Sequence, residues 1–182
     1  LRPPVVRPAD IRLVETRDFF LAEYGPARVI ETTETHGTVE GEYRTWYAGA
    51  DTKSRIDDLK TYMRDTYRGK ELVSYEHTSS DDFSKPYSMK VDMKDAPVGL
   101  TDPEPSAVGV RLSDITARLP DYIDQRVDAV DDGEVHEPRT ADVVFEPFVT
   151  VWKYRIQPPP GFQPRELPAD GVMKVGPARL LT

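Results

Sequence analysis

From Arg12 to about His36 apolar and polar residues largely alternate, then give way to a helical period and later return to alternation. RLVETRDFFLAEY and ARVIETTET are rich in Val, Thr, Ile and Phe and flank Gly25-Pro26, which predicts a β-hairpin with a short loop. Phe19, Phe20 and Leu21 run consecutively, as at a bulge or in a strand covered on both faces. After Gly37 the spacing lengthens. Val39, Tyr43, Trp46 and Tyr47 fall on one helical face, and Gly49-Ala50 ends that helix. Asp51 is placed to N-cap a second helix with an Ile56, Leu59, Met63 and Tyr67 stripe, and Gly69 stands where a C-terminal cap is expected. LVSYEHTSS and PYSMKVDMKDAPVGL then read as strands joined by the polar turn 81–85.

The predicted fold class is therefore α+β. Residues 1–10, with three prolines, form a linker, and residues 11–100 form a hairpin–helix pair–hairpin unit. In that unit the helices cover one face of a four-stranded antiparallel sheet. Thr101-Asp102-Pro103-Glu104-Pro105 marks a boundary, beyond which 105–182 reads as a β-rich, sandwich-like unit. Its main strand carries Phe148, Trp152, Tyr154 and Ile156 on one side and stops at Pro158–Pro160, which cannot donate ladder hydrogen bonds. GVMKVGPARLLT offers one more short strand.

Composition narrows the function. The 182 residues contain 24 Lys+Arg against 32 Asp+Glu, a formal charge of −8, with no basic cluster to neutralise a phosphate backbone. Nucleic acid is thus not an expected partner, and no apolar run approaches a membrane span. The absence of cysteine excludes thiolate nucleophiles, thiolate metal sites and disulfides within these residues. The chain opens on Leu1, as expected of a processed product or a piece of a longer protein.

Candidate chemistry is sparse. His36, His77 and His136 lack metal-ligand spacing, so separate surface or turn histidines outweigh a metal site assembled in three dimensions. Asp128, Asp131, Asp132 and Glu134, with Gly133 at a turn, superficially resemble a calcium loop, but Val130 stands where a ligand is required. Asp81, Asp82 and Glu146 are available carboxylates without an identified partner. The aromatic helix face of Tyr43, Trp46 and Tyr47 reads as core ahead of an exposed carbohydrate platform. The triple proline reads as a structural corner ahead of a polyproline ligand. No catalytic, cofactor-binding or metal residue is assigned, and no cofactor is expected. A hydrolase acting through carboxylates alone requires two acidic side chains converging in one cleft.

Three segments carry a family resemblance: VETRDFFLAEYGPARVIETTETHG; the stretch from TWYAGADTKSRIDDLKTYM to KPYSMKVDM; and PRTADVVFEPFVTVWKYRIQPPPGFQPRELP. Together they resemble the region that follows the transglutaminase-like core in bacterial multidomain proteins of unknown function, usually exported ones. The family's catalytic Cys, His and Asp belong to that core, and none carries over to a position here. The resemblance implies a non-catalytic accessory region that positions the enzyme core or docks an envelope partner. Its partners would be the upstream transglutaminase-like domain of the same polypeptide and an envelope protein or glycan. It also implies a periplasmic or extracellular setting, with a cytoplasmic one left open, and a chain that continues past its last strand. The alternative is an independent glycan- or peptide-binding module using exposed aromatics such as Trp46 or Tyr47.

Overall fold

The computed structural model describes residues 6–103, 105–111, 146–165, 169–175 and 178–182. Its described elements are β1 (Arg12–Phe20), β2 (Gly25–His36), α1 (Thr38–Gly49), α2 (Thr52–Tyr67), β3 (Glu71–His77), β4 (Tyr87–Thr101), β5 (Ser106–Val108), β6 (Val149–Gln157), β7 (Val172–Val175) and β8 (Ala178–Leu181). The α+β class holds: two helices accompany a six-stranded mixed sheet and a separate two-stranded hairpin. Pro8–Asp10, inside the predicted linker, forms one 3-10 turn.

The large sheet runs β3-β4-β2-β1-β6, with β5 added to the far part of β4. Only the β6 pairing is parallel. The sequence pattern predicts four antiparallel strands here and gives the Trp152 strand to the C-terminal unit. Instead that strand pairs in parallel with β1 along its whole length, from Arg12 opposite Val149 to Phe20 opposite Gln157. Periodicity marks a strand and its inner face but carries no partner.

The chain divides into two compact units, residues 1–109 with 146–162, and residues 110–145 with 163–182. In the second, the described strands are the β7–β8 hairpin, where one strand was expected. Among the described residues no helix is long and apolar enough to cross a membrane.

In the first unit the inner rows are Leu13, Glu15, Arg17 and Phe19 on β1, and Ala27, Val29, Glu31, Thr33 and Thr35 on β2. Tyr87, Met89, Val91 and Met93 continue the buried layer on β4. Against it α1 contributes Arg44 and Tyr47, and α2 contributes Leu59, Met63 and Tyr67, every apolar one a member of one core cluster. The α2 stripe is as predicted, with Ile56 only half-buried. The α1 face is split: Tyr47 is buried and Tyr43 half-buried, while Trp46 is 60% exposed.

The helix ends follow local chemistry. Gly37 precedes α1 at φ +71°, and a Cβ there would sit 2.4 Å from the Asp10 carbonyl oxygen, so this corner requires glycine. The Asp51 carboxylate accepts from the Lys53 and Ser54 backbone N–H groups at 2.9 and 3.0 Å and from the Ser54 hydroxyl at 2.7 Å. At the other end Arg68, not Gly69, takes the left-handed position (φ 54°), while the Gly69 N–H reaches the Met63 carbonyl. Asp51→Ala should therefore lower the urea midpoint modestly at an unchanged slope, since the cap is lost but the buried surface is not. An unchanged midpoint would mean that α2 is held by packing alone.

Candidate functional site

Two groups of functional side chains stand out, one inside the first unit and one on its surface. The inner group arises from register. Arg17 lies opposite Glu31 on β2 and opposite Tyr154 on β6, and Glu15 precedes it by two residues on the same face. The Arg17 Nε donates to Glu15 Oε1 at 2.6 Å and lies 3.5 Å from Glu31 Oε2, while its Nη1 donates to the Tyr154 hydroxyl at 3.0 Å. Its guanidinium carbon also stands 5.2 and 5.5 Å from the ring centres of Tyr67 and Tyr154. From α2 the Tyr62 hydroxyl donates to Glu31 at 2.8 and 3.0 Å, and the Tyr67 hydroxyl donates to Glu31 Oε2.

Electrostatics follow from burial and stoichiometry. Two carboxyl groups face one guanidinium, so full ionisation leaves one negative charge unbalanced in a low-dielectric layer. Burial, then the neighbouring Glu15, raises the Glu31 carboxyl from 4.5 to about 7 against the opposing pull of Arg17 and the two tyrosines. Burial and then Glu31 push the Tyr67 hydroxyl far upward, so it remains a donor. Glu15 and Glu31 do converge, which meets half the requirement for carboxylate chemistry. They are only 5% and 2% exposed, however, so no cleft leads to them.

The surface group lies where α1, α2, β3 and the 78–86 loop meet. Tyr47, Ala48, Arg55, His77, Ser79, Ser80 and Asp81 line an open cavity of about 380 Å³. Two of its lining residues, Tyr47 and His77, belong to a run of stacked rings. The Tyr47 ring stacks on Tyr87 at 5.7 Å and on His77 at 6.1 Å, His77 stacks on Tyr75 at 6.0 Å, and Trp46 leans on Tyr47 at 5.3 Å. Burial, then Tyr43 and Asp58, raises the Tyr47 hydroxyl to about 12, so it too stays protonated.

Hydrogen bonds fix the His77 tautomer. Its Nδ1 faces the Thr78 carbonyl at 2.8 Å and its Nε2 faces Arg55 Nη1 at 3.0 Å. A carbonyl can only accept and a guanidinium can only donate, so Nδ1 carries the proton and Nε2 accepts. The loop is pinned from below by Arg44, which donates to the carbonyls of Ser79, Ser80 and Lys85 at 3.0, 3.2 and 2.8 Å and to Glu40 at 2.7 Å. Phe83 covers the same guanidinium at 4.7 Å.

The sequence candidates thus scatter. His77, Tyr47 and Asp81 meet at the cavity, with Trp46 beside it. His36 closes β2, two strands away from β3, and is bonded to Glu34 at 2.8 Å and to Arg12 at 3.0 Å. Asp82 holds Ser84 and Lys85 in the turn, and Glu146 accepts from Thr38 ahead of β6. His136, Asp128, Asp131, Asp132, Gly133 and Glu134 lie outside the described residues. Among the described residues no three His, Cys, Asp or Glu side chains gather as a metal site would require. Sequence reasoning missed Glu15, Arg17, Glu31, Arg44 and Arg55. Comparison of the chain with protein-family models, with curated proteins and with solved structures finds no match.

Proposed function

We propose that this chain is a non-catalytic accessory module of a larger, exported transglutaminase-like protein, serving to dock a partner to the enzyme that carries it. One observation carries the non-catalytic part: the converging carboxyl groups, Glu15 and Glu31, are sealed beneath α2 and held by Arg17, Tyr62 and Tyr67. Groups held this way stabilise a fold and have no path to a substrate. The transglutaminase-like setting rests on the resemblance of the three segments quoted above. The purified chain is expected to hydrolyse or transamidate no peptide amide above the buffer rate. Turnover that disappears in Glu15→Gln or Glu31→Gln would overturn this reading.

A second reading, an independent peptide-binding module, is favoured by the exposure of Trp46. A large aromatic ring left 60% exposed on a helix whose adjacent Tyr47 is buried is a ready contact surface. In this reading Trp46 and the neighbouring cavity receive the ligand.

A further inference from the structure

We infer that the cavity between α1, α2, β3 and the 78–86 loop is a receptor for the carboxylate of a peptide, with Arg55 as its anchor. The inference rests on the peptide-binding reading above and adds to it the group that is recognised.

Arg55 is the argument. It is half-buried and lines the cavity, yet it forms no ion pair with a carboxylate among the described residues. The one hydrogen bond its side chain makes among the described residues goes to a neutral acceptor, His77 Nε2, and its buried Nε has no partner. The other enclosed arginines are treated differently: Arg17 has Glu15 and Glu31, and Arg44 has Glu40. A partly desolvated guanidinium without a counter-ion is costly unless an anion from outside completes it. Its flat fork of donors matches a carboxylate in two parallel bonds.

The surroundings select the kind of anion. His77 is committed through Nδ1 to Thr78 and holds the Arg55 guanidinium through Nε2, so it positions the anchor. Ser79 and Ser80 line the cavity, and Arg44 fixes their backbone before any ligand arrives. Asp81 lines the same cavity and opposes a dianion more strongly than a monoanion. It also offers an acceptor to a ligand N–H group, which a peptide has and a bare inorganic anion lacks. Trp46 supplies a flat apolar surface beside the cavity for the residues adjoining the carboxylate.

The test titrates the ¹⁵N-labelled chain with four probes: N-acetyl-dialanine as the free acid, the same peptide as its amide, N-acetyl-glutamyl-alanine amide, and inorganic phosphate. The backbone amides of Ser79, Ser80 and Asp81 and the Trp46 indole are followed. At least one carboxylate probe should shift them saturably in the millimolar range, and the neutral amide should bind about tenfold more weakly or worse. Which acid binds tells a chain end from an acidic side chain. Arg55→Gln should lose about tenfold in affinity, Arg55→Lys should lose less, and Arg64→Gln, an exposed position on the same helix, should match the native chain. Should Arg55→Gln lose the native spectrum, the Arg55→Lys and Arg64→Gln pair still decides, since unequal affinities are required. Equal binding of acid and amide would overturn the carboxylate assignment and leave the peptide-binding reading standing. Equal binding by inorganic phosphate would overturn it in favour of a general anion site. No shift with any peptide would overturn both.

Discussion

Arg17→Met is expected to cost the first unit roughly 3–5 kcal/mol, a large fraction of the stability of an ordinary domain. The size follows from what the substitution leaves behind. Glu15 and Glu31 stay buried on adjacent strands with no cation between them, and Tyr154 loses the guanidinium that donates to its hydroxyl. Methionine fills much of the same volume, so the effect isolates charge from packing. Lysine is not a conservative replacement here. One ammonium cannot bond Glu15, Tyr154 and the facing Glu31 in the planar arrangement that Arg17 supplies. Urea denaturation of Arg17→Met and of the triple variant Glu15→Gln, Arg17→Met, Glu31→Gln separates the two contributions. The triple variant should recover much of the loss, because it buries no uncompensated charge. A loss below about 1 kcal/mol in the single variant would mean that the cluster is solvated rather than sealed.

This cluster also shows where sequence patterning stops. Most element boundaries in residues 11–100 were legible, because alternation, the i, i+4 stripe and the Asp51 cap are local signals. Their partners were not. Arg17 and Glu31 are brought face to face by hairpin register, and Tyr154 joins them from more than a hundred positions away through the parallel β6 pairing. One clue was available: Leu13 and Phe19 define the buried parity of β1, and Glu15 and Arg17 lie between them on that parity. Charged residues in a buried row must be paired, so the row itself signals a cluster that isolated turn carboxylates do not. Trp46 was misjudged for the opposite reason. It shares a helical stripe with Tyr47, but α1 is covered on too narrow an arc to bury both rings. Arg55 gave no local signal. Its importance lies in the missing counter-ion, which only the folded neighbourhood displays.

The stability of the first unit should fall as pH rises from 5 to 8, and Glu31→Gln should remove that fall. In the unfolded chain Glu31 ionises near 4.5, whereas in the folded one it holds its proton to about 7. A carboxyl raised on folding contributes stability in full below the unfolded value. That contribution is lost as pH climbs through the folded value, because the unfolded state then binds fewer protons than the native one. The gap sets a ceiling of roughly 3 kcal/mol. The groups facing Glu31 are Glu15 and Arg17 from β1 and Tyr62 and Tyr67 from α2, and of these only Glu15 adds to the raising force. Asp10, Asp51, Asp82 and Asp92 are shifted the other way, so their contributions appear above the unfolded aspartate range and vanish only in more acidic solution. The comparison is therefore best made as a difference between native chain and variant at each pH, which cancels the groups remote from position 31. Glutamine keeps a carbonyl for the tyrosine hydroxyls and cannot ionise, so it mimics the protonated acid. The variant should match the native chain near pH 5 and overtake it above pH 7. A difference that stays flat across this range would show that Arg17 keeps Glu31 ionised throughout, and the charge imbalance would then have to be met elsewhere in the cluster.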